Sequence, residues 1–187
     1  MVNRFLINFR YAFNPRKPLL VLRLIWNYIL MLIFRKQLLR YVDLAVGYRC
    51  NLNCPHCFTN KETGKGRMPP KFFAKVARDC MKLGAVNFSF QGGEPLLYDD
   101  LKDYIKAAQP HKNLISVATN GTKLTPRVIT DLKAWGVDIL TISMDRFRLA
   151  EPHLWFHIDY AREIGMKVTI ATVVTHQNIN SSFLRIL

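Results

Sequence analysis

No acidic residue occurs before Asp43, and the whole chain has 13 Asp and Glu against 27 Lys and Arg, a formal net charge of +14. Cysteine is scarce too. Four in 187 residues are too few for the disulfide scaffold of a secreted protein this size, and three of the four are clustered. Such clustering suits a metal or cofactor site in a reducing compartment, so the cytoplasm is the expected location. The apolar run from Leu19 to Phe34 is 16 residues with one arginine inside it, short of the ~17–25 residues of a membrane span. No small-residue cleavage site follows it, which argues against a signal peptide. What is plentiful is apolar residue: at 50 % of the chain it excludes disorder and predicts one domain with a real core.

The charge is unevenly placed. Arg4, Arg10, Arg16, Lys17, Arg23, Arg35, Lys36 and Arg40 put eight bases and no acid into residues 1–40, while the remainder has 19 bases and 13 acids. Asn14 and Pro15 read as the cap and first turn of a helix on which Arg16, Arg23 and Asn27 recur at steps of seven and four, along one narrow face. Two uses fit a basic helix rich in Trp, Tyr and Phe. Residues 15–36 lie against anionic lipid as a peripheral membrane contact, or they pack on the body of the protein. Nucleic acid is the poorer match, because the bases are interleaved with long aliphatics rather than gathered on a polar face.

From Tyr41 the pattern changes. The runs at 41–46, 86–90, 114–119, 138–143 and 167–174 read as strands, and helices fit at about Pro70–Leu83, Asp99–Ala108, Thr125–Trp135 and Pro152–Ile164, three of them ending near Gly84, Gly136 and Gly165. The last three strand-to-strand steps have the length of βαβ crossovers, so the expected fold is α/β, a parallel sheet with helices outside it, open or part of a barrel. Two units are expected: an N-terminal extension over 1–40 and the α/β core over 41–187. Ligands of such sheets bind at the C-terminal strand ends. There the sequence places its distinctive loops: the cysteines, QGGEP, TNG, MDR and THQN.

Cys50, Cys54 and Cys57 stand in C-x3-C-x2-C spacing within GYRCNLNCPHCFTN. Three thiolates from one loop can hold three irons of a [4Fe-4S] cube and leave the fourth open. Zinc remains the alternative, although it usually takes four protein ligands in two paired spacings and no second C-x2-C exists here. Cys80, in mid-helix, reads as a small core residue. Gly92 and Gly93 allow close backbone approach and Pro95 stiffens the turn.

CNLNCPHC after the first strand, GGEP after the second, TNG after the third and SMD at the end of the fourth resemble, in that order, the radical S-adenosylmethionine (SAM) enzymes. The similarity covers about residues 41–180 and is nearest the branch of peptide-modifying and molybdopterin-type enzymes. The resemblance implies a partial (βα) barrel in which Cys50, Cys54 and Cys57 ligate a [4Fe-4S] cluster whose fourth iron is chelated by SAM. An electron then cleaves the sulfonium, and the 5′-deoxyadenosyl radical abstracts hydrogen from substrate. It also implies an electron donor such as flavodoxin or ferredoxin. Gly92, Gly93, Glu94 and Pro95 would serve the SAM ammonium, Ser143 with Thr119 or Asn120 its ribose or carboxylate, and His56 its adenine. Other readings are an inactive iron–sulfur or zinc-binding module and a membrane-surface protein acting through its first helix.

Two departures from the family pattern shape expectation. Arg146 follows SMD where a small residue is common, and Arg146 or Arg148 could meet an anionic substrate. The chain also ends just after the fifth strand, where the family has a sixth repeat, so an incomplete barrel of about five repeats is expected.

Overall fold

Runs rich in Val, Ile and Phe extend, and segments led by proline coil between them. The computed structural model describes residues 16–57, 59, 66–144, 152–174 and 176. In chain order these form α1 (Pro18–Leu32), β1 (Tyr41–Gly47), α2 (Pro70–Lys82), β2 (Asn87–Gly92), a 3-10 turn (Pro95–Leu97), α3 (Leu101–Ala107), β3 (Leu114–Thr119), α4 (Pro126–Trp135), β4 (Ile139–Ser143), α5 (Pro152–Glu163) and β5 (Lys167–Ala171). All five strands join one sheet in the order β1-β2-β3-β4-β5, every pairing parallel. Sequential parallel order with a helix in each crossover is the arrangement of an unclosed (βα) barrel. The core fills the space between sheet and helices. Phe73 of α2 meets Phe88 and Phe90 of β2 edge-on, at ring-centroid distances of 6.5 and 5.9 Å.

Several expected boundaries move, β2 among them, which runs Asn87–Gly92 rather than 86–90. β5 ends at Ala171, not at 174, and α3 begins at Leu101, after Asp99 and Asp100 have made a turn. The first helix starts at Pro18 with Lys17 as its N-cap. Asn14 and Pro15 lie outside the described residues, as do Arg146 and Arg148.

The larger finding is how α1 sits. In a (βα) unit each helix runs back against its strand, so the C-termini of α2, α3 and α4, with their unpaired carbonyls, gather where the strands begin. The polar stripe of α1 faces that floor. Arg23 donates to the carbonyls of Ala85 (2.8 Å), Met81 (3.2 Å) and Lys112 (3.3 Å) and to the Asn113 side chain. Asn27 donates to Gly84 O at 2.7 Å. Lys17 pairs with Asp138 at 2.5 Å and donates to Asn113 O (3.1 Å) and Gly136 O (3.2 Å). Between them Leu20 and Leu24 pack on Val86, Leu114 and Ile139, at or beside the first residues of β2, β3 and β4. Arg16, expected in the stripe, is exposed, and Lys17 takes its place.

Burial pushes the Lys17 ammonium pKa down while Asp138 pulls it back up. Replacing Lys17 by Met therefore removes the cation paired directly with the Asp138 carboxylate, which is 8 % exposed, at a cost of about 3 kcal/mol. The melting temperature of Lys17→Met should fall by roughly 6–12 °C; a fall under about 2 °C in a calorimetric scan would show the pair to be dispensable.

Candidate cofactor site at the C-terminal strand ends

The loop leaving β1 brings its three thiols to one cavity of about 280 Å³, which spans the C-terminal ends of the sheet. Cys57 N–H donates to Cys54 O at 3.0 Å, closing a turn that holds these two residues together. Cys50 Sγ accepts from Leu52 N–H (3.4 Å) and from the Asn120 amide (3.8 Å), and Cys57 Sγ lies 3.0 Å from Thr59 Oγ1. No disulfide joins the cysteines, and Cys80 packs against the core on α2, away from the cavity.

Among the described residues no three His, Cys, Asp or Glu side chains gather about a point as a single ion requires. Thiolates on three different irons of a cube need not converge in that way, whereas zinc ligands must. A second observation marks a ligand space. Thr172 Oγ1 is buried on the cavity wall with no hydrogen-bond partner among the described residues, a state that costs ~1–3 kcal/mol unless something fills the cavity and bonds to it. The donor set, the orphaned hydroxyl and the cavity together fit a cluster with an organic cofactor beside it.

The residues of GGEP separate in space. Gly92 and Gly93 line the cavity; Glu94 and Pro95 are buried behind it. Gly92 has φ 126°, and a Cβ on it would stand 2.4 Å from Gly47 O, while one on Gly93 would stand 2.2 Å from Arg49 O. The missing side chains thus first allow the β2 exit to lie directly on the β1 exit that leads to Cys50. Gly93 N–H to Gly47 O (2.9 Å) and Glu94 N–H to Arg49 O (2.8 Å) lock the contact. Gly93→Ala must push the Arg49–Cys50 backbone aside, costing about 3 kcal/mol. It should lower iron retained after reconstitution while Gly66→Ala, with no described atom within 4 Å of its Cβ, retains the parental amount.

Glu94 is fully buried. Its carboxylate accepts from Leu96 N–H (3.1 Å), Thr119 Oγ1–H (2.7 Å) and Asn120 N–H (2.6 Å), tying β2 to the end of β3. Thr119 also accepts from Gly121 N–H at 3.1 Å, so its hydroxyl proton is already committed. Asn120 gives its amide protons to Asn51 Oδ1 (2.9 Å) and Cys50 Sγ, and its Oδ1 accepts from Thr122 N–H (3.0 Å) and Oγ1–H (2.6 Å). That is its whole capacity. Both residues line the cavity, as do His56 and Ser143, but Asn120 serves to hold the cysteine loop.

Sequence reasoning missed Thr172, Gln91 and Met144 on the cavity wall. Thr172 was hidden by reading β5 through residue 174; the signal for it is a hydroxyl just past a β-branched run. Tyr98 was also missed. Its hydroxyl accepts from Arg49 N–H at 2.8 Å, and Arg67 stacks 4.8 Å from its ring centroid while pairing with Asp100.

The Radical SAM superfamily model matches residues 44–149. A probable GTP 3′,8-cyclase of Methanocella arvoryzae is 38 % identical over 103 residues, covering 54 % of this chain and 33 % of that protein. The tungsten-containing aldehyde ferredoxin oxidoreductase cofactor-modifying protein of Pyrococcus furiosus is 31 % identical over 110 residues, covering 57 % and 31 %. The chain therefore spans about a third of the length of these curated relatives. Streptococcus suis SuiB bound to S-adenosylmethionine superposes with a TM-score of 0.66 at 22 % identity over 80 % of this chain and 37 % of that one. BtrN in complex with AdoMet and 2-DOIA superposes with a TM-score of 0.57 at 19 % identity, over 78 % and 60 %. These structures share the fold, and the matched segment runs from within β1 through β4 across the cysteine loop and GGEP: the chain belongs to the radical SAM superfamily, whose cofactors are a [4Fe-4S] cluster and S-adenosylmethionine.

Proposed function

We propose that this chain carries the cofactor-binding part of a radical SAM enzyme. The observation that carries the reading is that Cys50, Cys54 and Cys57 open onto one cavity with Gly92, Gly93, Ser143 and Thr172. The relatives are named for different chemistry, a GTP cyclisation and a cofactor modification, yet each matches this chain through about a third of its own length, which supports a shared cofactor-binding part rather than a shared substrate.

When bound, the cluster and SAM supply a one-electron cleavage of the sulfonium to methionine and a 5′-deoxyadenosyl radical that takes hydrogen from substrate. The protein's part is positional. The three thiolates would hold the cluster and leave one iron open to SAM. Gly92 and Gly93 present backbone to the cavity without Cβ shielding, suited to accept from the SAM ammonium. Ser143 and Thr172, on the same cavity wall, would face its hydroxyl and carboxylate oxygens, and His56 would lie toward its adenine. Glu94 and Asn120 act through others, holding the β3 loop and Cys50 in register. Because the cysteines are partly exposed, a cluster held there would be within electron-transfer reach of a carrier of flavodoxin or ferredoxin type.

The test is anaerobic reconstitution with iron and sulfide, followed by SAM and dithionite. Iron and sulfide near four each per chain, with 5′-deoxyadenosine and methionine released, is the expected result. Zinc retained in place of iron overturns the reading, and iron with no 5′-deoxyadenosine reduces it to a binding module.

A further inference from the structure

With its polar stripe spent on the barrel floor, α1 turns its apolar side outward. Leu22 (61 %), Trp26 (57 %), Leu32 (76 %), Ile33 (70 %) and Phe34 (59 %) are exposed. A helix on a water-soluble surface shows the opposite polarity, and a contiguous exposed apolar face marks an interaction site. We propose that this face of α1 docks on an anionic lipid surface.

Charge selects the occupant. Arg16, Arg35, Lys36 and Arg40 are exposed at the two ends of the apolar face, and no acid occurs from residue 16 to residue 42. A second copy of the chain would bring two such basic segments together, which is repulsive; an anionic bilayer neutralises both ends while accepting the apolar residues between them. Trp26 and Phe34 have the amphipathic or apolar rings that interfaces favour. At 15 residues α1 lies along the surface: no helix among the described residues is long and apolar enough to cross a membrane. Because α1 covers the N-terminal ends of the strands, the cofactor cavity opens at the far end, about 20 Å away at ~3.3 Å per strand residue. The docked protein keeps its site facing water, open to a soluble electron carrier.

The inference does not depend on the cofactor reading, since vesicle binding is measured without iron or SAM. The full chain is sedimented with vesicles of phosphatidylcholine alone and with about 30 % phosphatidylserine. Binding is expected to the anionic vesicles, weakening with added salt, and at least ten-fold weaker to the neutral ones. Leu22→Ser with Trp26→Ser and Phe34→Ser should weaken it by about ten-fold or more, and Arg35→Gln with Lys36→Gln and Arg40→Gln by about a hundred-fold. All six side chains are exposed, so both variants should melt with the parent. Equal binding to both vesicle types, or binding unchanged in either variant, overturns the proposal. So does a dimer in sedimentation equilibrium that the serine variant dissociates, because a second copy would then own the face.

Discussion

Replacing any one of Cys50, Cys54 and Cys57 by alanine should leave the reconstituted chain with almost no iron and no measurable 5′-deoxyadenosine, whereas Cys80→Ala should retain about four irons. The contrast follows from geometry. The first three thiols share one cavity, and Cys80 sits on α2 against the core. A cube held by two thiolates would have two irons open to water, since among the described residues no carboxylate or fourth cysteine lines the cavity and His56 is the one other side chain there of a type that binds iron. Each single loss therefore costs nearly as much as the triple. Iron and sulfide analysis with the visible absorption of the cluster reads the outcome. Retention of half or more of the parental iron by the Cys57→Ala protein would mean that a ligand outside the loop is present, and the three-thiolate assignment would fall.

Glu94→Ala is expected to be among the most damaging substitutions that touch no cofactor. Three donors, Leu96 N–H, Thr119 Oγ1–H and Asn120 N–H, converge on one buried carboxylate. Bonds to a charged acceptor are worth ~1.5–3 kcal/mol each, and relief of a buried anion offsets part of that loss. The net cost is about 4 kcal/mol, or roughly 8–16 °C in melting temperature for a chain of this size. Because Asn120 in turn holds Cys50 and Asn51, the damage reaches the thiols, and iron retention should fall with stability. Glu94→Gln separates the two effects. Its amide keeps one acceptor but sets N–H against a donor, so it should fold at about half the cost and still retain less iron than the parent. A Glu94→Ala protein melting within about 2 °C of the parent would refute this role.

Much of the fold was legible from local pattern. The strand at Leu114–Thr119 was read to the residue and the helix ends at Gly84, Gly136 and Gly165 were marked by glycines that adopt positive φ. That the three cysteines share one place was legible because they stand close along the chain. The roles inside GGEP were not, because the atoms that decide them come from elsewhere: Gly47 O and Arg49 O crowd the two glycines, and Thr119 and Asn120 supply Glu94 with donors. Thr172 became visible only as a buried hydroxyl without a partner among the described residues.

The sequence by itself determined the α/β order, the parallel sheet, the thiol-bearing loop and a helix with one polar stripe, because each is written in residues close along the chain. The tertiary structure alone decided which way that stripe faces and what Glu94 and Asn120 do. Periodicity places residues on one side of a helix but says nothing of what that side meets. The carbonyls of Met81, Gly84, Ala85 and Lys112, and the carboxylate of Asp138, come together only when parallel packing brings the ends of separate crossovers to one floor.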